Sequence, residues 1–383
     1  MERERFTSER FGSVVKTPGP HGFLTFLPER LPRALPLSEG VVFELSEADR
    51  ALGRLAGAGR LLPNPHLLVN AYVTREAVAS SRIEGTQATI SDVFEATSED
   101  GRRSDDVQEV VNYIEAMSVG IARLADLPLS RRLLEEIHGV LLSGVRGADR
   151  SPGAVRRSPN WIGSPDNRPA TAVFVPPPVD VMEDGLSDWE RFAHESVRMP
   201  PLVKCGLLHY QFETLHPFLD GNGRLGRLLI IFFLLSEGHL PSPLLYVSAF
   251  FEAHKSDYYD RLQGVRERGD IDGWLEFFLR AVTEQANDAV LRSEALTDLR
   301  EEYRSRLHGS RSRAVEVVDM LLENPYVTTA NVSKRLGVTY QGASNLLRQL
   351  EASEVLLPAR RVAGRSNRWV APRVLEIVSG REI

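Results

Sequence analysis

The sequence predicts a mainly α-helical protein that ends in a small winged helix-turn-helix unit. Apolar residues recur at helical spacing from residue 64 to about residue 282. One stretch rich in glycine, proline and aromatic residues, 152–178, interrupts that period. Beyond residue 313 three short helical patterns precede two strand-like ones, the order of a winged helix. The chain accordingly divides into an N-terminal arm (1–40), a helical region (41–105), a central core (106–290), a linker helix (291–312) and a winged helix-turn-helix (313–383).

In the arm, Pro18, Pro20, Pro28, Pro32 and Pro36 leave no sustained period, so an irregular segment is expected there. Asn64 can cap a helix, Pro65 suits its first position, and Gly85 stops a stripe formed by Val69, Val73, Ala77, Ser80 and Glu84. Helical periods follow at 107–125 and 133–142, then a loop expected to carry a hairpin, then helices at 179–196, 202–215, 225–237 and 258–282. A polar stretch at 292–313 leads to helices at 314–323, 329–336 and 340–353. Strands at 355–361 and 366–370, turning through Gly364, complete the pattern.

With 383 residues, 42% of them hydrophobic, the chain can bury a sizeable core. Acids exceed bases by 52 to 46, a net charge of −6, which argues against polyanion binding by the whole chain. The single cysteine, Cys205, excludes an intramolecular disulfide and a CxxC metal site. The charged start, Met1 to Phe6, lacks the apolar run of an export signal. The longest apolar run, Leu228 to Leu235, falls far below the ~20 residues of a membrane helix. A cytoplasmic protein with no membrane association is expected.

Gly221, Gly223 and Gly226 spell GxGxxG, which a dinucleotide-binding strand would precede. Here Leu208, Phe212 and Leu215 precede it at helical spacing instead, and no Gly-Lys-Ser/Thr completes a Walker loop. What remains is a glycine loop feeding a helix near Leu225, whose free backbone N–H groups form an anion site. Arg224 and Arg227 oppose the dipole of that helix, a placement suited to polyphosphate and costly for structure alone. Asp220 supplies a hard oxygen ligand for Mg2+, and His216 stands where it can take a proton from an incoming nucleophile.

His216-Pro217-Phe218-Leu219-Asp220-Gly221-Asn222-Gly223-Arg224-Leu225-Gly226-Arg227 resembles the HxFx(D/E)GNGRxxR motif of the Fic family at every specified position. The resemblance extends over roughly residues 69–282 and implies a helical core with a β-hairpin flap. It implies AMPylation: transfer of AMP from ATP, with Mg2+, to a Ser, Thr or Tyr hydroxyl of a target protein. In that reading His216 is the general base, Phe218 packs the loop, and Asp220 holds the metal. Gly221, Asn222 and Gly223 cradle the α- and β-phosphates, Arg224 reaches the β-phosphate and Arg227 the γ-phosphate, with Leu225 and Gly226 completing the ATP site.

Three further segments resemble parts of the same family. Ser80-Ser81-Arg82-Ile83-Glu84-Gly85 matches the inhibitory motif (S/T)xxxE(G/N), which implies that Glu84 engages Arg227 and displaces the γ-phosphate. The same glutamate implies a possible reverse reaction, removal of AMP. Ser81 and Glu84 also satisfy the SxxE capping pattern, but Ser81 lies in the last turn of its helix. Asn160-Trp161-Ile162-Gly163, with Phe174 to Pro178, resembles the flap that aligns a target's backbone. Tyr258 matches a position that contacts the nucleoside, against the alternative of a core aromatic.

From Arg311 to Ile383 the chain holds eleven Lys/Arg against seven Asp/Glu. Arg360, Arg361, Arg365 and Arg368 fall around the expected wing, and Tyr340, Gln341, Ser344, Asn345 and Arg348 on a helix that could face a DNA groove. Dimerisation or target docking is the alternative use of that unit. A homodimer is expected. The competing function is a DNA-binding regulator whose Fic domain senses nucleotide, and within the enzyme reading the alternatives are another donor (UTP, GTP or CDP-choline) or a kinase-like reaction.

Overall fold

The computed structural model describes residues 1–19, 22–61, 65–98, 103–307, 313–359 and 367–380. Asn64, Gly364, Arg360, Arg361 and Arg365, to which a cap and a wing were assigned, lie outside the described residues.

The arm is not irregular throughout. Strands β1 (Gly12–Lys16) and β2 (Leu24–Pro28) pair antiparallel, with Val14 opposite Phe26. Their inward residues give the reason: Val14 and Phe26 are buried with Phe174 in a small cluster of their own. Phe26 N–H also donates to Val175 O at 3.0 Å and Thr25 Oγ1 to Pro176 O at 2.7 Å. The hairpin therefore braces the returning limb of the 152–178 loop.

The body is helical: α1 (Glu39–Leu61), α2 (Pro65–Ile83), α3 (Ile90–Thr97), α4 (Asp105–Arg123), α5 (Arg131–Leu141), α6 (Val179–His194), α7 (Pro201–Leu215), α8 (Asn222–Ser236), α9 (Ser248–Ala253), α10 (Lys255–Arg268) and α11 (Ile271–Arg306). Caps mark several starts. Ser104 and Ser130 accept N–H bonds from α4 and α5, and a Thr89–Asp92 capping box opens α3. Residues Leu202 to Leu215 of α7 are all buried, as is nearly all of α8, so this pair forms the centre of the core. α1 lies along α11, and α2 passes beside α4, α8 and α9.

Two expectations for the end of the core need correction. The 258–282 segment is broken by Gly269, whose φ of 69° ends α10. α11 then continues unbroken to Arg306, so the 290/291 boundary falls inside a helix. Its buried stripe of Ala289, Ser293, Leu296, Leu299 and Tyr303 was hidden by the charges between those residues.

The C-terminal region contains α12 (Ala314–Glu323), β3 (Tyr326–Thr328), α13 (Thr329–Leu336), α14 (Tyr340–Ala352), β4 (Leu357–Pro358), β5 (Arg368–Val370) and α15 (Pro372–Ser379). The strands form an antiparallel sheet in the order β3-β5-β4. α12 packs on α2 and α11, and α15 on the same two helices. Arg368 does not face outward from a wing. It is buried and pairs with Glu95 of α3 at 2.7 Å.

Candidate active site

α7 delivers His216 at its C-cap, where the residue takes a left-handed conformation, φ 47° and ψ 60°. The chain then turns through Pro217 to Gly221 and enters α8. Asn222 secures this turn with both ends of its amide: Phe218 N–H donates to Asn222 Oδ1 at 2.9 Å and Asn222 Nδ2 donates to Phe218 O at 2.8 Å. Its side chain is thus committed to the loop, and the group it can offer a phosphate is its backbone N–H. Phe218 is fully buried and stacks on His138, ring centroids 3.9 Å apart.

No side chain caps the N-terminus of α8, which begins after Gly221 at φ 76°. Its first amides are therefore open to an anion. Arg224 and Arg227 are almost wholly buried beside them. Each keeps an unbonded nitrogen, Nε of Arg224 and Nη1 of Arg227, and His216 Nδ1 likewise has no partner. Buried donors left open at an uncapped helix start are what an anionic ligand would satisfy. Leu225 is buried on the core side of that turn, and Gly226 rests on Glu213, whose carboxyl is held up at about 7 by burial, with Arg227 pulling it down.

Arg227 is already engaged. Its Nη2 donates to Glu84 Oε1 at 2.8 Å and to Ser80 O at 2.9 Å, and its Nε donates to Ser80 Oγ at 2.8 Å. Burial opposes the charged form of Glu84, but Arg227 and Arg224 outweigh it and hold the carboxyl below its usual range. Gly85, at φ 100°, turns the chain away directly after it. Gly223 makes room for the pair, since a Cβ there would run into Glu84 Oε1.

Arg224 lies 3.5 Å from Asp220 Oδ1 and 3.5 Å from Glu109 Oε2. The Asp220 side chain is 38% exposed, and its Oδ1 also accepts the Gly221 N–H at 2.6 Å. A partly exposed carboxylate at the mouth of an anion hole suits Mg2+, which binds through one or two carboxylates together with substrate phosphates. No cluster of three potential metal ligands occurs among the described residues. His216 is held down at about 3 by burial first, then by the nearby Arg156 and Arg266 guanidiniums, so its ring is neutral at neutral pH.

The flap is anchored by one bridge, Ile162 opposite Phe174. Trp161 and Ile162 are half-buried and Gly163 is exposed, but Asn160 points inward and donates to His216 O at 3.1 Å and Phe218 O at 2.8 Å. Tyr258 is buried, stacked on Phe251 and hydrogen-bonded through its hydroxyl to His209 Nε2 at 2.8 Å. The core-aromatic alternative describes it, whereas Tyr259 is 44% exposed and close enough to feel Glu84 and Arg227.

Several residues at the site went unnoticed in the sequence. Glu109 of α4 gathers Arg224, Arg146 and the Thr86 hydroxyl. His138 of α5 accepts the Gly153 N–H through Nδ1 and meets Asp220 O through Nε2, both at 2.9 Å. Arg156, from the loop, binds the backbone of the His216 turn. A charged residue inside a helical period carries no local mark of which neighbour it meets, so only the fold reveals these partners.

Residues 42–122 match the Fic/DOC family N-terminal model and residues 128–234 the Fic/DOC family model. The chain belongs to the Fic family. It is 29% identical over 196 residues to a protein adenylyltransferase Fic of Culex quinquefasciatus, covering 50% of this chain and 35% of that one. A protein adenylyltransferase Fic of Nematostella vectensis is 33% identical over 137 residues, 34% of this chain and 30% of the relative. The chain thus spans about a third of the length of these curated relatives. Among solved structures, a Fic family protein from Desulfovibrio desulfuricans superposes with a TM-score of 0.58 at 21% identity, covering 88% of this chain and 97% of that one. A Fic domain containing signaling protein from Bacteroides thetaiotaomicron gives 0.52 at 17% identity, covering 66% and 97%. Both likenesses establish the fold.

Proposed function

We propose that this chain is a protein adenylyltransferase, moving AMP from ATP to a hydroxyl of a target protein and of itself, and held inactive by Glu84. The observation that carries the reading is the group of unbonded nitrogens on two buried arginines beside an uncapped helix start and a neutral histidine. His216 takes the proton of the attacking hydroxyl, and arriving phosphates raise its affinity for that proton by bringing negative charge to the ring. The α8 amides and Arg224 hold the polyphosphate, and Arg227, once free, stabilises the departing diphosphate. Mg2+ would be held by Asp220 and would neutralise phosphate charge. The exposed edge of the flap at Trp161 to Gly163 would align the target's backbone. Removal of AMP by the same site, with Glu84 assisting, belongs to this reading.

Arg224→Ala, made together with Glu84→Gly so that the site is open, is expected to weaken ATP binding by roughly tenfold or more. Isothermal calorimetry checks this. Unchanged affinity would remove Arg224 from the phosphate site.

A second reading concerns the C-terminal region, which we propose is a winged helix-turn-helix. Tyr340, Gln341, Asn345 and Arg348 are exposed along α14, a face compatible with DNA. The region is also tied to α3: Asn324 Nδ2 donates to Phe94 O at 3.0 Å and Thr97 Oγ1 at 3.1 Å. Weak, salt-sensitive binding of the whole chain to generic DNA is expected in gel-shift titrations, with any sequence preference lost when Arg348 is replaced by Ala. No retardation at low salt would favour dimerisation or target docking instead.

A further inference from the structure

Arg156 is 2% exposed, and no carboxylate pairs with it among the described residues. Burial lowers its hold on the proton only to about 10, so it remains a cation at neutral pH. Every hydrogen bond its guanidinium makes goes to a backbone carbonyl. Nε donates to His216 O at 3.0 Å, Nη1 to Ser158 O at 3.2 Å, and Nη2 to Pro177 O at 2.6 Å and Leu215 O at 3.3 Å. Its own backbone N–H donates to Pro217 O at 2.8 Å.

Those acceptors come from three separate pieces of chain. Leu215, His216 and Pro217 form the turn that presents the ring, Ser158 leads into the flap, and Pro177 leads out of it. The left-handed backbone of His216 is unfavourable for a residue with a Cβ, so it persists only where its surroundings impose it. Two donors converge on the His216 carbonyl, Arg156 Nε and Asn160 Nδ2, and both belong to the loop that carries the flap. A planar fork with five N–H groups can serve acceptors on several sides at once, and a lysine ammonium cannot reproduce that spread.

We propose that Arg156 is a positioning residue that holds His216 in its left-handed conformation and locks the flap to it, so that the target hydroxyl and the base are brought into register by one side chain. The proposal rests on the adenylyltransferase reading for the role of the base, though the geometry it claims is independent of the reaction. Arg156 touches neither the open nitrogens of Arg224 and Arg227 nor the α8 amides. Its loss should therefore affect transfer and spare nucleotide binding. Its charge, second only to burial in keeping the His216 ring neutral, supports the same role.

The test compares Glu84→Gly protein with the same protein carrying Arg156→Met or Arg156→Lys. ATP affinity is measured by calorimetry, transfer at saturating ATP by automodification, and the His216 imidazole titration by NMR. Arg156→Met is expected to lower transfer by about 100-fold, the scale of a misplaced catalytic group, while ATP affinity stays within about twofold. Arg156→Lys should recover part of the rate, and the His216 titration should move up in Arg156→Met. Where Arg156→Met is too unstable to bind ATP, Arg156→Lys must show the same separation of rate from affinity. Unchanged transfer, or affinity falling in step with rate in both variants, overturns the proposal. If the parent binds ATP and transfers nothing, the reading of the reaction fails, and the titration alone decides: an unshifted His216 in both variants overturns the positioning role.

Discussion

Replacing Glu84 by glycine is expected to raise automodification by about 10- to 100-fold, the range set by one charge-assisted hydrogen bond to a buried guanidinium. In the wild-type chain Arg227 spends Nη2 on Glu84 and Ser80 and Nε on Ser80, leaving only Nη1 open. Glycine would free the face of Arg227 proposed to meet the γ-phosphate and clear the carboxylate from the surface of Gly223. The same change strands a buried cation, so the variant should be less stable without nucleotide. ATP should consequently protect it against heat more than it protects wild type, because at a given concentration a ligand stabilises the folded state more the more tightly it binds there. Equal automodification rates for variant and wild type over a range of ATP concentrations would leave the Glu84–Arg227 pair a structural contact.

His216→Ala in the Glu84→Gly background is expected to lower transfer by about 10²- to 10⁴-fold while leaving ATP affinity nearly unchanged. The proposed phosphate cradle is built from α8 amides and two arginines, none of which bonds the His216 ring. The separation of effects is therefore the informative result. Substantial labelling by this variant would remove His216 from the role of base, and a parallel loss of ATP binding would indicate a collapsed turn.

The reaction motif could be read in the sequence because its parts are local: His216 to Arg227 span one helix end, one turn and one helix start. The Glu84–Arg227 pair was likewise anticipated, the inward carboxylate from a stripe on α2 and a stop at Gly85, and its Arg227 partner from the resemblance to the Fic inhibitory motif. What could not be read is whatever depends on remote packing. Asn160 was expected to face a target and instead bonds the His216 turn. Tyr258 was read as a nucleoside contact or a core aromatic, and it lies in the core against His209, with Tyr259 exposed beside it. Arg368 was assigned to a wing and is buried on Glu95. In each case the residue type was informative and its direction was set by an element distant in sequence. The β1–β2 hairpin was missed, and α11 was divided at residue 290 into core and linker helix, for a related reason, since prolines and dense charge mask the underlying period.

The most direct measurement is to incubate Glu84→Gly protein separately with ATP labelled at the α-phosphorus and ATP labelled at the γ-phosphorus, with the Glu84→Gly, His216→Ala protein as control. The account predicts stable label on the protein from the α-phosphorus alone, and little from the control. Label from the γ-phosphorus would show a kinase-like reaction, and no label from either, despite measurable ATP binding, would contradict adenylyl transfer.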